Sequence, residues 1–374
     1  MGVTMSAAGG SSRRAGRRRL AALLVAALVA ATVGTIVGAG RGGEERSPIG
    51  ARTAARPPAP ARPVHPGAVI LLAFNGTRMP AYVGRILRRR DAAGVFLGPA
   101  NVASPAQLAR LTSALRHAGG ADLLVALDQE GGSVRTVPSV GPVTAPPAAG
   151  APKQVRAEYH DAGRGLRALG ITVDLAPVTD AARPGTALAA RAFPGPAQVA
   201  AASAGLAAGG VLPAAKHFPG LGAATANTDD VPVDIPTSAA ELERVDLAPF
   251  RAAIAAGVPL VMASHARYRA LDPRFPASRS RRILTNLLRG RLGFRGVVMT
   301  DSLEAAAVLR TTSLERAGIA GLRAGVDLLL TTGRGSWIRL DRALGAEARH
   351  SPAFATRLAG AARRVRALRR RVVR

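Results

Sequence analysis

Eight short apolar runs recur along the chain, at Ala68–Ala73, Gly94–Leu97, Asp122–Leu127, Ile171–Ala176, Val211–Ala215, Val258–Ala263, Gly296–Thr300 and Val326–Thr331. Runs of this length, flanked by turn residues, read as strands buried on both faces, as parallel sheets require. Longer stretches rich in Ala, Leu and Arg, with helical spacing, separate most of them. Eight strand–helix units fit a (β/α)8 TIM-type barrel better than an open doubly wound sheet, and predict a single α/β domain over residues 67–374. Polar residues follow the runs: Asp128-Gln129-Glu130 the third, Asp180 and Arg191 the fourth, Lys216-His217 the fifth, His265 and Arg267 the sixth, Asp301 the seventh. In a barrel all these positions open at one face and converge on one pocket. At the far end, Leu358, Ala361, Val365, Leu368 and Val372 recur at helical spacing, which predicts a last helix packed on the barrel with its arginines in solvent.

The region before the barrel has another pattern. Arg13, Arg14, Arg17, Arg18 and Arg19 precede an uncharged run, Leu20 to Ala39, that ends in Val37-Gly38-Ala39. Residues 1–40 therefore read as a signal peptide or membrane anchor, and the Pro, Ala and Arg-rich residues 41–66 as a disordered linker. Either form of the N-terminus exports the domain, so the expected location is extracytoplasmic, secreted or anchored. The chain has no cysteine, which rules out disulfides and thiolate-bound metal. Its net charge of +28 is concentrated at the ends, with ten arginines in residues 1–63 and seven in residues 361–374. Twelve aromatic residues supply few stacking platforms, so no nucleic-acid partner is expected.

Lysine is nearly absent, with two against 49 arginines, yet Lys216 stands beside His217 at the end of the fifth run, ahead of a glycine-rich loop. A lysine kept under such a bias indicates a position that needs a compact ammonium rather than a planar guanidinium. The segments Leu127-Asp128-Gln129-Glu130-Gly131-Gly132, Gly170-Ile171 with Leu175-Ala176-Pro177-Val178-Thr179-Asp180, Arg191-Ala192-Phe193, Lys216-His217-Phe218-Pro219-Gly220, Asp246-Leu247-Ala248-Pro249-Phe250 and Thr300-Asp301-Ser302-Leu303 occur in this order. Together they resemble glycoside hydrolase family 3, in its single-domain β-N-acetylhexosaminidase branch. The resemblance covers most of residues 68 to 335. It implies a barrel, removal of terminal β-linked N-acetylglucosamine or a related hexose, no cofactor, and a carbohydrate substrate such as cell-wall glycan fragments.

Retaining glycoside cleavage needs a carboxylate nucleophile and a proton donor on opposite sides of the anomeric carbon. The resemblance assigns the nucleophile to Asp301, whose structural alternative is an N-cap for a helix over Leu303 to Leu309. Glu304 reads as part of that helix start. Asp128, Arg191, Lys216 and His217 are the expected substrate-binding residues, suited to accept from or donate to sugar hydroxyls. His265 and Arg267 match a family segment near the pocket floor, with His265 open between contact and structure. The spacing of His217, Asp229, Asp230 and His265 matches no standard metal motif, and no metal is expected.

The chain departs from the family in two places. The family's Asp-Ser-His acid/base triplet aligns with Asn227-Thr228-Asp229, and its second histidine after the Lys-His motif with Leu221. Asp229 can then serve as acid/base where burial or a like charge from Asp230 or Asp301 raises its pKa. The family's arginine after Gly131-Gly132 is Ser133, and strand alternation would let Arg135 compensate in part. Three readings follow: an active glycosidase with an altered acid/base, a sugar-binding protein that has lost catalysis, and a related enzyme that transfers the sugar to another acceptor such as phosphate.

Overall fold

The computed structural model describes residues 64–373 apart from Ala182. The expected signal or anchor at 1–40 and residues 41–63 of the linker lie outside the described residues. Among the described residues no helix is long and apolar enough to cross a membrane.

The eight apolar runs each supply one barrel strand: β1 Ile70–Ala73, β2 Gly94–Phe96, β3 Leu124–Leu127, β4 Val173–Asp174, β5 Leu212–Phe218, β6 Leu260–Ala263, β7 Val297–Ser302 and β8 Leu328–Leu330. They lie side by side in sequence order, all parallel, and β1 closes the barrel by pairing with β8 through Ile70 opposite Leu329. Around it run α1 Ala81–Arg88, α2 Pro105–Gly119, α3 Pro152–Ala168, α4 Pro196–Ala208, α5 Leu247–Ala255, α6 Leu314–Ala324, α7 Ser336–His350 and α8 Pro352–Val372, with a wider-wound helical segment at Arg282–Arg291. Several start where the sequence places a cap. Ser104, Ser313 and Ser351 each accept a hydrogen bond from the third residue of the helix that follows.

Alternate strand residues face inward, and Leu71, Leu124, Val173, Leu260, Met262, Met299 and Leu328 form one apolar cluster in the barrel. Val365, Leu368 and Val372 of α8 belong to the same cluster. Arg369 of α8 pairs with Asp122 at 2.8 Å and donates to the carbonyls of Gly119 and Ala92 at 3.3 and 3.4 Å, beside the N-terminal ends of β3 and β2. The last helix thus lies across the floor of the barrel, with all five residues of its predicted apolar stripe buried and with Arg369, expected in solvent, buried beside them where its guanidinium meets Asp122 and the strand-end carbonyls.

Two ladder irregularities position the opposite, functional end. Between β5 and β6, Lys216 faces Met262 and Phe218 faces Ala263, so His217 is an extra residue. Between β7 and β8, Met299 faces Leu328 and Ser302 faces Leu330, leaving Thr300 and Asp301 across from a single residue. A bulge re-aims side chains at the end of a strand, and here both bulges lie at the C-terminal mouth.

Candidate active site

Lys216 ends the regular part of β5, with its side chain almost wholly buried. Its ammonium stands 2.5 Å from an Asp128 oxygen and 2.6 Å from a Glu130 oxygen. Arg191, in the loop after β4, grips the same Glu130 with two parallel bonds, Nε to Oε2 at 2.7 Å and Nη2 to Oε1 at 2.6 Å. Burial opposes the charge on Glu130, yet Lys216 and Arg191 outweigh it and bring the pKa to about 2. Burial likewise opposes the charge on Lys216, and the carboxylates of Asp128 and Glu130 reverse the sign and raise its pKa. A second guanidinium fork would have no room on a carboxylate already bound by Arg191, which accounts for a lysine here. Behind this group Asp174, fully buried in β4, accepts from the Gln129 amide at 2.9 Å. Burial pushes its pKa well above the carboxylate range.

Asp180 organises the turn after β5. It is fully buried, accepts from the backbone amides of His217 at 3.1 Å and Leu221 at 2.5 Å, and meets His217 Nδ1 at 2.8 Å. With Nδ1 turned to Asp180, Nε2 points into the mouth, 3.9 Å from Asp301 Oδ2. Two glycines make the turn. Gly220 has φ +131, and a Cβ there would stand 2.7 Å from Asp246 Cβ; at Gly222 a Cβ would stand 2.0 Å from the Ala181 carbonyl oxygen. Asp246 is buried and held by both ends of the Arg183 guanidinium at 2.9 Å.

Asp301 lies within β7 and caps no helix; the short helix beyond it begins at Ala306. Its Oδ1 accepts from the Ser302 amide at 2.7 Å. Burial works to raise its pKa, but His217, His265 and that amide more than offset it and hold the group ionised below its ordinary value. Glu304 precedes the helix rather than opening it. Its carboxylate accepts from the Thr332 amide at 2.9 Å and the Ser302 hydroxyl at 3.3 Å, and so ties the end of β7 to the loop after β8.

The Asn227–Asp229 loop is docked onto the segment after Asp301. The carbonyls of Asp229 and Thr228 accept from the amides of Ala306 and Ala307 at 3.0 and 3.1 Å. The Asp229 side chain is exposed and accepts from Asn227 Nδ2 at 3.3 Å. Its pKa is raised by partial burial and then by the charge of Asp301. Asp230 is open to solvent.

Asp128, Arg191, Lys216, His217 and Asp301 thus converge at the mouth, with Asp229 at the edge. Ser133 is a turn residue between the short strands Gln129–Gly131 and Val134–Arg135, so the alternation expected for it does not apply. Arg135 donates to the carbonyls of Gly132 at 2.9 Å and Pro138 at 3.0 Å and serves its own hairpin. Arg267 pairs with Asp234 at 2.6 and 2.7 Å. Both ring nitrogens of His265 are engaged, by the Ser278 hydroxyl and the Ser302 carbonyl, so neither faces the mouth. Glu130, Asp174 and Asp180 carry more of the geometry than the motif reading assigned them. A signal for Glu130 and Asp180 was present, because an acid after a buried strand needs a cation or amides to satisfy it. Among the described residues no group of three or more His, Asp or Glu side chains could hold a metal ion.

Residues 69–365 match the model of the glycosyl hydrolase family 3 N terminal domain. A Beta-hexosaminidase of Xylella fastidiosa is 37% identical over 279 residues, 70% of this chain and 82% of its own. An uncharacterized secreted glycosyl hydrolase of Arthroderma benhamiae is 34% identical over 290 residues, 72% of this chain and 82% of its own. Among solved structures, a beta-N-acetylhexosaminidase from Beutenbergia cavernae superposes with a TM-score of 0.74 at 33% identity, covering 82% of this chain and 98% of that one. A family 3 beta-N-acetylglucosaminidase from Paenibacillus gives 0.76 at 30%, covering 84% of this chain and 63% of the longer neighbour.

Proposed function

The chain belongs to glycosyl hydrolase family 3, and from that premise we propose that it removes terminal β-linked N-acetylglucosamine, or a related hexose, by a retaining mechanism with Asp301 as nucleophile. The observation that carries this reading is Asp301 itself: an ionised carboxylate at the bulged end of a barrel strand, Oδ1 held by an amide and Oδ2 facing His217. Asp128, Lys216, Arg191 and His217 bind the sugar hydroxyls beside it. Asp301 Oδ2 forms the bond to the anomeric carbon as the glycosidic bond breaks, and the aglycone oxygen leaves with the proton of Asp229. Water then attacks the same carbon, gives its proton to Asp229, and releases Asp301. The names of the Xylella, Beutenbergia and Paenibacillus relatives support the choice of sugar. The N-terminal run Leu20–Ala39 and the secreted relative support a location outside the cytoplasm, where cell-wall glycan fragments are the substrate class.

A second reading, a sugar-binding protein of the same fold with impaired catalysis, is favoured by the exposure of Asp229 and by Asn227 in place of the family's aspartate. Release of p-nitrophenol from its β-N-acetylglucosaminide by the chain from Val64 onward, beside Asp301→Ala, separates the two. The expected result is turnover in the native chain and a loss of at least about 1000-fold in the variant. Sugar binding without turnover would instead establish the binding protein.

A further inference from the structure

His265 stands behind the nucleophile, against the backbone of Asp301 and Ser302. It is buried at the end of β6, with Nδ1 2.8 Å from the Ser278 hydroxyl and Nε2 2.9 Å from the Ser302 carbonyl oxygen. A carbonyl can only accept, so Nε2 carries the proton and donates it to Ser302. The same residue's amide donates to Asp301 Oδ1 at 2.7 Å. Its hydroxyl lies 2.7 Å from the Thr332 hydroxyl, and both approach Glu304 Oε2 at 3.3 Å. The bulge between β7 and β8 ends at Ser302, which pairs with Leu330, so these side-chain bonds hold the residue at which the ladder resumes just after Asp301.

We propose that His265 is the positioning residue of the nucleophile: by holding the Ser302 carbonyl it aims the Ser302 amide at Asp301 Oδ1 and leaves Oδ2 as the oxygen that attacks. The inference rests on the reading of Asp301 as nucleophile. It assigns His265 no proton transfer, since the Ser278 hydroxyl and the Ser302 carbonyl occupy both its ring nitrogens. Burial lowers its pKa, against the opposing charge of Asp301. Asp301, Ser278, Ser302 and Arg279 are the polar and charged groups around it.

The test is covalent labelling of Asp301 by a 5-fluoro-N-acetylglucosaminyl fluoride, whose good leaving group needs no acid and whose glycosyl-enzyme hydrolyses slowly. The adduct is located and timed by mass spectrometry in the native chain, His265→Ala and His265→Gln. A displaced carboxylate oxygen loses rate on the order of 100-fold, so labelling in His265→Ala should slow by about that factor, with the apparent affinity for the reagent kept. His265→Gln offers an amide donor to the Ser302 carbonyl and should recover most of the rate, with both variants keeping the native pH profile. Equal labelling in all three, or a Gln variant as slow as the Ala variant at native melting temperature, would overturn the proposal alone. An Asp301 that labels in none of them would overturn the nucleophile reading with it. Should His265→Ala fail to fold, the same comparison is made with Ser278→Ala, which frees Nδ1 and should slow labelling less than tenfold.

Discussion

Glu130 shows at the residue scale how this mouth is charged. Two cations meet on one buried carboxylate whose side chain is 1% exposed, and removing the carboxylate strips Arg191 of its partner and leaves Lys216 with Asp128 alone, which costs about 3–5 kcal/mol for a broken buried pair. Glu130→Gln should therefore lower stability by that amount at pH 7, as read by chemical denaturation. The folded pKa of about 2 lies below the ordinary 4.5. The stabilisation is thus complete above about pH 4.5 and drains away as the pH falls toward 2, so native and variant stabilities should converge in that window. Asp229 titrates with the opposite consequence for rate. As general acid it must be protonated, so kcat/KM on a poor leaving group should fall as the pH rises through its raised pKa. Asp229→Asn should abolish that limb and lose about 100- to 10,000-fold on unactivated glycosides, while an aryl glycoside with a good leaving group is largely spared. Equal activity on both substrates would remove Asp229 from the mechanism.

At the scale of elements, the turn after β5 does for His217 what a longer loop could not. Asp180 collects the His217 amide, the Leu221 amide and the imidazole, and the glycines between let the chain close on it. Gly220→Ala must enter a φ that non-glycine residues rarely adopt and push Asp246 aside, at about 1–3 kcal/mol. Its melting temperature should fall, with kcat reduced because His217 moves; an unchanged kcat would show that the turn does not set the site. The sequence made the strands legible because a strand buried on both faces is an unbroken apolar run, and each of the eight runs holds one. It made the mouth legible through polar residues placed just after those runs. What it hid were the bulges at His217 and Asp301, since an extra residue in a ladder depends on the partner strand's register rather than on local composition. It hid Arg135 for the same reason: Ser133 occupies a turn, and alternation holds only within a strand. The short helix after Asp301 starts later than its sequence indicated because Glu304 bonds across to Thr332 instead of opening the first turn.

At the scale of the whole molecule, a closed barrel has two ends, and this chain dedicates its last helix to one so that the other can stay open. Val365, Leu368 and Val372 continue the interior cluster past the strands, and Arg369 fastens the helix to the edge through Asp122 and two carbonyls. Catalysis at the mouth needs strands that do not shift, and a filled interior transmits little slack from one end to the other. Leu368 is 4% exposed, and Leu368→Ala should cost about 2–5 kcal/mol as a core cavity does. At roughly 2–4 °C per kcal/mol for a domain of this class, the melting temperature should drop by about 4–20 °C. Because the substitution lies at the floor, far along the barrel from Asp301, KM for the aryl glycoside should hold at temperatures where the variant is still folded. A KM that rises with the loss of stability would show instead that the floor and the mouth move together, and that α8 is part of the site's geometry rather than only its support.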